Sequence, residues 1–188
     1  MPVLFIFMST QRNNFYVITG CSGRGKSSII DALKAKAFTC VEEAGRQIVK
    51  EQIESGGNGT PWQDQLKFRD LLFARYTKLH EGVTERSAPV FFDRGIPEVI
   101  SASRLLGLAP SDEHWRATKQ YRYAHKVFVA PPWPELFRKD DERRHTLDDA
   151  LKEYPLTLDA YRECGYELVE LPKLPVAARV EFILQHVG

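Results

Sequence analysis

The sequence predicts an α/β fold: a five-stranded parallel sheet with helices on both faces. Three observations lead there. Five short, apolar, β-rich runs alternate with longer segments of helical spacing. Helical connections between successive strands imply a parallel sheet covered on both sides. The first run leads directly into Gly20-Cys21-Ser22-Gly23-Arg24-Gly25-Lys26-Ser27. This segment fits the phosphate-binding loop pattern G-x-x-x-x-G-K-[ST] at every fixed position, and that loop sits between a strand and a helix.

The predicted elements follow in order. Residues 15–19 form strand one and 27–35 the first helix. Residues 37–41 form strand two, and 42–53 a helix with Ile48 and Ile53 on its apolar side. The glycine-rich stretch 55–61 breaks the chain. A long helix covers 62–79, with Leu66, Leu71, Leu72, Phe73 and Tyr76 as its apolar positions. Strand three is 88–93, a continuous apolar run ending in Asp93, and helices are expected over 97–106 and 112–123. Strand four is 126–130 and strand five 167–171, with helices over 147–164 and 176–186. Right-handed crossovers place ligands beyond the carboxyl ends of the strands. Gly20, Glu43 and Asp93 all fall there.

Length and charge narrow the function. A chain of 188 residues suits one domain with one sizeable core. Residues 15–188 read as that domain and 1–14 as an N-terminal extension. Net charge is +1, so there is no basic excess for nucleic acid or anionic membranes. Residues 2–8 are apolar but too short to span a bilayer and lack a positive flank, which makes a poor signal peptide. Three cysteines without metal-like spacing argue against a disulfide framework. The expectation is a cytoplasmic protein without stable membrane insertion. Its oligomeric state is open, a homodimer included.

The phosphate loop carries the chemistry. Its glycines let successive backbone N–H groups point into one concavity, and the helix dipole adds partial positive charge. The cradle would be Gly20, Cys21, Ser22, Gly23, Arg24, Gly25, Lys26, Ser27 and Ser28, with the Arg24 side chain facing solvent. Lys26 would reach the β- and γ-phosphates and the Ser27 hydroxyl would hold Mg²⁺.

Three further segments could act with it. Asp93 follows apolar residues at the end of strand three, as a carboxylate that orients Mg²⁺ does. It could instead cap the next helix. Arg94 beside it could meet a substrate phosphate or carboxylate in a bidentate contact. After strand two, Glu42 and Glu43 face the acceptor side. One of them could take a proton from an attacking hydroxyl, or both could simply favour a helix N-terminus. Arg46 and Trp62 lie on the same side, and Trp62 could stack on an acceptor or serve packing. After strand four, Arg138, Arg143 and Arg144 fall in a segment, 133–146, that suits a closing lid. Three acids among residues 137–145, Asp140, Asp141 and Glu142, also fit a solvated helix.

As a set, Val17-Ile18-Thr19-Gly20…Gly25-Lys26-Ser27, Glu43-Ala44-Gly45-Arg46, Pro61-Trp62-Gln63, Phe91-Phe92-Asp93-Arg94-Gly95, Arg104-Leu105-Leu106-Gly107 and Pro131-Pro132-Trp133-Pro134 with the arginines after it resemble a known family. It is the small bacterial AAA-like ATPase domain family. That family is related to the ribosylnicotinamide kinase domain of the NAD-biosynthesis regulator and to the ATPase domain of TRPL translocation defect proteins. The resemblance spans roughly residues 15 to 185. It implies a three-layer P-loop NTPase fold of the nucleotide-kinase type, ATP or GTP with Mg²⁺, and an arginine-bearing lid. It names no acceptor. Cys21-Ser22 replaces the family's usual Gly-Pro, and Glu42 stands where proline is frequent, which leaves open which glutamate is functional.

A hydrolysing motor carries a second acid after the Walker B aspartate; here that position is Arg94. The expectation is therefore a kinase transferring a γ-phosphoryl group to a small nucleoside-like or other metabolite acceptor. The alternative is a nucleotide-dependent switch that hydrolyses slowly and acts through a protein partner.

Overall fold

The computed structural model describes residues 10–20, 25–85, 87–133 and 147–188. In chain order the elements are β1 (Thr10–Gln11), β2 (Phe15–Gly20), α1 (Lys26–Ala35), β3 (Thr39–Val41), α2 (Ala44–Ser55), α3 (Gln65–Gly82) and β4 (Val90–Asp93). These are followed by α4 (Glu98–Leu105), α5 (Asp112–Gln120), β5 (Tyr121–Arg122), β6 (Lys126–Ala130), α6 (Leu147–Glu163), β7 (Glu167–Glu170) and α7 (Val176–Gln185). The main sheet has five parallel strands in the order β3-β4-β2-β6-β7. β2, the strand that feeds the phosphate loop, is therefore central.

Alternation along β2 builds two cores. Phe15 and Val17 pack on one face with Ile48, Leu72, Tyr76, Val99 and Tyr161, from α2, α3, α4 and α6. Tyr16 and Ile18 pack on the other with Ile29, Leu33, Val180 and Ile183, from α1 and α7. Successive strand residues point to opposite faces, so a strand covered on both sides must be apolar throughout. All six residues of β2 are buried.

Local chemistry sets the helix ends. Asp64 caps α3 by accepting from the Lys67 amide at 3.0 Å, which starts that helix three residues after Trp62 and leaves Trp62 in the preceding turn. Ser111 and His114 form a capping box at the start of α5. α5 ends at Gln120, not at 123. Tyr121 and Arg122 instead pair in parallel with Thr10 and Gln11 of β1. Tyr123 then turns inward under the sheet and is buried. Strand two is shorter than its apolar pattern, because Ala37 takes a left-handed turn at φ 65°. Ile53 and Leu66, expected as core positions, are exposed.

Candidate active site

The strand and the helix that the loop motif demands on either side of it are present. β2 ends at Gly20 with φ 112°, and Gly25 caps α1 in the left-handed region at φ 79°. Residues 21–24 of the expected cradle lie outside the described residues. Lys26 opens α1 with its side chain buried, and its ammonium donates to the Gly20 carbonyl at 3.1 Å. The cation is thus folded back across the loop it is expected to serve. Ser27 and Ser28, in the first turn of α1, are exposed at the helix N-terminus. Backbone N–H groups there carry the positive end of the helix dipole.

Asp93 ends β4, registered with Ile18 of β2, and is buried. It does not begin a helix directly: Arg94 takes φ 72°, and α4 starts only at Glu98. A non-glycine residue in that region costs about 1–2 kcal/mol. Contacts on both sides of Arg94 hold it there. Its amide donates to the Ile18 carbonyl at 3.0 Å. Its guanidinium lies 2.5 Å from Glu98, 3.5 Å from Glu43 and 3.5 Å from Glu153.

This cluster contains one guanidinium and three carboxylates, and it is bonded to the strand that bears the loop. Thr19, the residue before Gly20, donates its hydroxyl to the second oxygen of Glu98. Burial disfavours charge on Arg94, but Glu98, Glu153 and Glu43 outweigh it and hold the guanidinium well above its usual range. Burial pushes the Glu98 carboxyl upward, with Glu153 adding to the rise while Arg94 and Thr19 pull it down. A proton on Glu98 is therefore easier to hold than on an exposed carboxylate.

The two candidate glutamates after β3 part company. Glu43 stands at the N-cap of α2 with its side chain 13% exposed, paired to Arg94 and to Arg46 at 3.3 Å. Glu42 points outward and pairs with Lys34 on the surface.

Above the cluster opens a cavity of about 510 Å³ between α2, α3 and α4. Glu43, Arg94, Glu98 and Glu153 reach it, and Trp62, Phe68, Leu72, Tyr76, Leu105 and Leu106 supply much of its apolar lining. The structure thus brings together Glu43, Arg46, Trp62 and Arg94 around one space. The lid arginines Arg138, Arg143 and Arg144 lie outside the described residues.

Two carboxylates escaped the sequence reading. Glu98 carried a signal, its i, i+4 spacing from Arg94. Glu153 carried none, since α6 reaches the cluster from 59 residues away. Arg179 of α7 was also missed. It is buried, its Nη2 lies 3.0 Å from where a Cβ on Gly25 would stand, and its guanidinium is 5.8 Å from the Trp133 ring centre. Burial lowers its pKa.

Among the described residues, the Ser27 hydroxyl and the Asp93 carboxylate are the oxygen donors expected to hold a metal. One carboxylate and one hydroxyl match a hard cation that keeps several waters and takes its other ligands from phosphates.

A model of the AAA domain family matches residues 15–179, most of the chain.

 The match takes in Glu153 and every other site residue named above. The chain belongs to this AAA-domain family. A search of curated proteins finds no significant match.

Solved structures share the fold of this AAA-domain protein. A deoxyadenosine kinase from M. mycoides, solved with dCMP and dCDP, superposes with a TM-score of 0.65 at 13% identity, over 92% of this chain and 97% of that one. A thymidylate kinase from Candida albicans gives 0.66 at 14% identity, over 94% and 91%. A shikimate kinase from Acinetobacter baumannii, in complex with shikimate, gives 0.57 at 16% identity, over 95% and 94%. The architecture is that of the P-loop kinases. Among the described residues, no helix is long and apolar enough to cross a membrane.

Proposed function

We propose that this protein is a Mg²⁺-dependent phosphotransferase that moves the γ-phosphoryl group of ATP or GTP to a hydroxyl of a small metabolite. One observation carries the reading. Glu98, on the cavity floor, is hydrogen-bonded to Thr19, immediately before the phosphate loop. A cavity able to take an acceptor thus reaches the end of β2, which supports phosphoryl transfer over slow hydrolysis. The three kinases of similar fold support the same class of reaction.

In this reading Lys26 leaves the Gly20 carbonyl for the nucleotide's phosphates. Ser27 and Asp93 hold Mg²⁺, which when bound neutralises charge on the phosphates. Glu43 receives the acceptor's hydroxyl proton. The acceptor oxygen bonds to the γ-phosphorus as the bond to the bridging oxygen breaks, and the nucleoside diphosphate leaves. Arg138, Arg143 and Arg144 would close over the transferring group and exclude water.

The test is ADP release from ATP across a metabolite library, run on the wild type, Lys26→Ala and Asp93→Asn. We expect release to depend on an acceptor. Lys26→Ala should lose about 3 kcal/mol or more of transition-state stabilisation while remaining folded. Asp93→Asn should lower activity far more than metal-free nucleotide affinity; an unchanged rate and metal dependence would leave Asp93 a structural residue. Acceptor-independent release, with nucleotide-dependent capture of a protein partner, would favour the switch instead.

A further inference from the structure

We propose that Thr19 and Glu98 are positioning residues: their hydrogen bond ties the phosphate loop to the acids of the cavity, so that the loop's hold on nucleotide depends on how those acids are paired. The inference rests on the phosphotransferase reading for what the two sides bind.

Packing alone does not call for this bond. Thr19 follows Phe15 and Val17 on the face of β2 that meets α2, α3, α4 and α6. It is fully buried. A valine of the same shape would fill the space with no polar atom to satisfy. A buried hydroxyl is costly without a partner, and here the partner is a carboxylate that is itself buried. The strand thus carries two groups that are expensive to bury, one residue before the phosphate loop.

From there the contacts run without a break to the cavity. Glu98 Oε1 accepts from Thr19, and the Tyr161 hydroxyl stands 3.5 Å from the same oxygen. Oε2 accepts from Arg94 at 2.5 Å. Glu43 and Glu153 each lie 3.5 Å from that guanidinium, and both line the cavity. The outer contacts are long and face the ligand space, whereas the inner bonds are short and dry. On the other side Thr19 adjoins Gly20, whose carbonyl takes the Lys26 ammonium at 3.1 Å. A ligand that draws on Glu43 or Glu153 changes what Arg94 has left for Glu98, and hence the pull of Glu98 on Thr19. The end of β2 passes that pull on, because Gly20 is paired with Ala130 of β6 and has little freedom to absorb it. Arg94 also reaches β2 by its amide, which donates to Ile18, but a main-chain bond does not register the charge of the cavity. Contiguous hydrogen-bond networks can carry couplings of about 5- to 150-fold in affinity, and linkage makes them reciprocal. Nucleotide on the loop must therefore alter the acids by the same factor.

The experiment needs no acceptor. The full chain is titrated with the non-hydrolysable analogues AMPPNP and GMPPNP by isothermal calorimetry in the presence of Mg²⁺, and the tighter of the two is carried forward. Glu153→Gln perturbs the network from the far side of Arg94. We expect it to change the dissociation constant by about fivefold or more when residue 19 is threonine, and by less than about twofold in Thr19→Val. Thr19→Ser restores the hydroxyl and should restore the response. Thr19→Ala runs in parallel, so the result does not depend on the folding of one variant. Hydrogen exchange gives a readout that loss of packing alone would not move. The analogue should slow amides of both α1 and α4 in the wild type and Thr19→Ser, and of α1 alone in the valine and alanine variants. A Glu153→Gln effect of equal size with and without the hydroxyl, or no effect in either case, overturns the inference and leaves the phosphotransferase reading intact. An effect that vanishes in Thr19→Val, together with no acceptor-dependent transfer from ATP, sustains the inference and overturns the phosphotransferase reading. Failure of the wild type to bind either analogue overturns both.

Discussion

Arg94 Nη1 lies 2.5 Å from Glu98 Oε2, four residues on, and the two side chains are only 6% and 5% exposed. Few ion pairs are removed from water so fully. Desolvation on this scale offsets much of the Coulombic attraction, so the pair need not add net stability, but breaking it is costly. Arg94→Met would strand Glu43, Glu98 and Glu153 together. We expect it to destabilise the fold by about 3–5 kcal/mol in chemical denaturation. Adding Glu98→Gln should recover part of that loss, giving a coupling in the double-mutant cycle well outside additivity. Two independent, additive losses of a few tenths of a kcal/mol would show that the pair is solvated in solution.

A second prediction concerns the approach of two central strands. A Cβ on Gly20 would stand 2.3 Å from the Ala130 carbonyl oxygen and 2.8 Å from its nitrogen, at a φ of 112°. Both atoms belong to the backbone of β6, the strand registered with β2 at that residue, so neither can swing aside. Gly20→Ala should cost about 2–3 kcal/mol and displace the start of the phosphate loop. Gly107→Ala is the control: φ is 69° there but nothing lies within 4 Å of the added Cβ. It should show only the left-handed backbone cost of about 1–2 kcal/mol. Equal losses in urea titrations of the two variants would mean that the close approach to Ala130 is absent in solution.

His80 makes stability depend on pH. It is buried among Phe15, Phe92, Tyr121 and Tyr123, with Nε2 3.0 Å from the Arg122 carbonyl. A carbonyl only accepts, so the ring is the tautomer that donates from Nε2. Burial lowers its pKa, with the Arg122 carbonyl opposing. A base whose pKa is lower folded than unfolded favours the folded state when neutral. That stability is complete above the unfolded value of about 6.5 and is lost as pH falls through the folded pKa. Melting temperature should therefore drop as pH goes from 7 towards 5. His114, also buried and with its pKa lowered by that burial, should contribute to the same slope. His80→Phe should flatten the slope in part, and an unchanged slope would exclude His80 as a source.

What the sequence made legible was local. The five strands and the loop before α1 could be read because each is a short pattern with its own chemistry: apolar runs, a fixed glycine spacing, a lysine at a helix start. Glu43, Arg46, Trp62 and Arg94 were singled out one by one, and the cavity gathers them. What escaped depends on distant packing. Tyr121 and Arg122 read as the tail of a helix, because nothing local reveals that β1 supplies them with a partner 111 residues earlier in the chain. Ile53 and Leu66 read as core because their spacing is apolar, yet they stay exposed. Glu153 gives no local sign, because only the packing of α6 beside α4 brings it to Arg94.

Arg179 gives the last prediction, on the nucleotide side of the site. It comes from α7, the helix that packs against α1, and its guanidinium lies beside the loop's Gly25 and 5.8 Å from the ring centre of Trp133. Only 4% of the residue is exposed. A cation kept dry at the helix end of a phosphate loop should strengthen the field that anions meet there, and its planar face against Trp133 fixes its direction. Charge-assisted hydrogen bonds contribute about 1.5–3 kcal/mol each, so Arg179→Met, which keeps the stem's bulk, should weaken ATP binding by about tenfold or more. Lysine keeps the charge but not the fork, and Arg179→Lys should recover only part of the loss. Thermal denaturation without ligand separates this from a purely structural role. If Arg179 merely supports α7, the methionine variant should lower the melting temperature and leave the ATP dissociation constant of the folded protein unchanged. If it acts on the nucleotide, the dissociation constant should rise by the larger factor, and the effect should shrink as ionic strength increases.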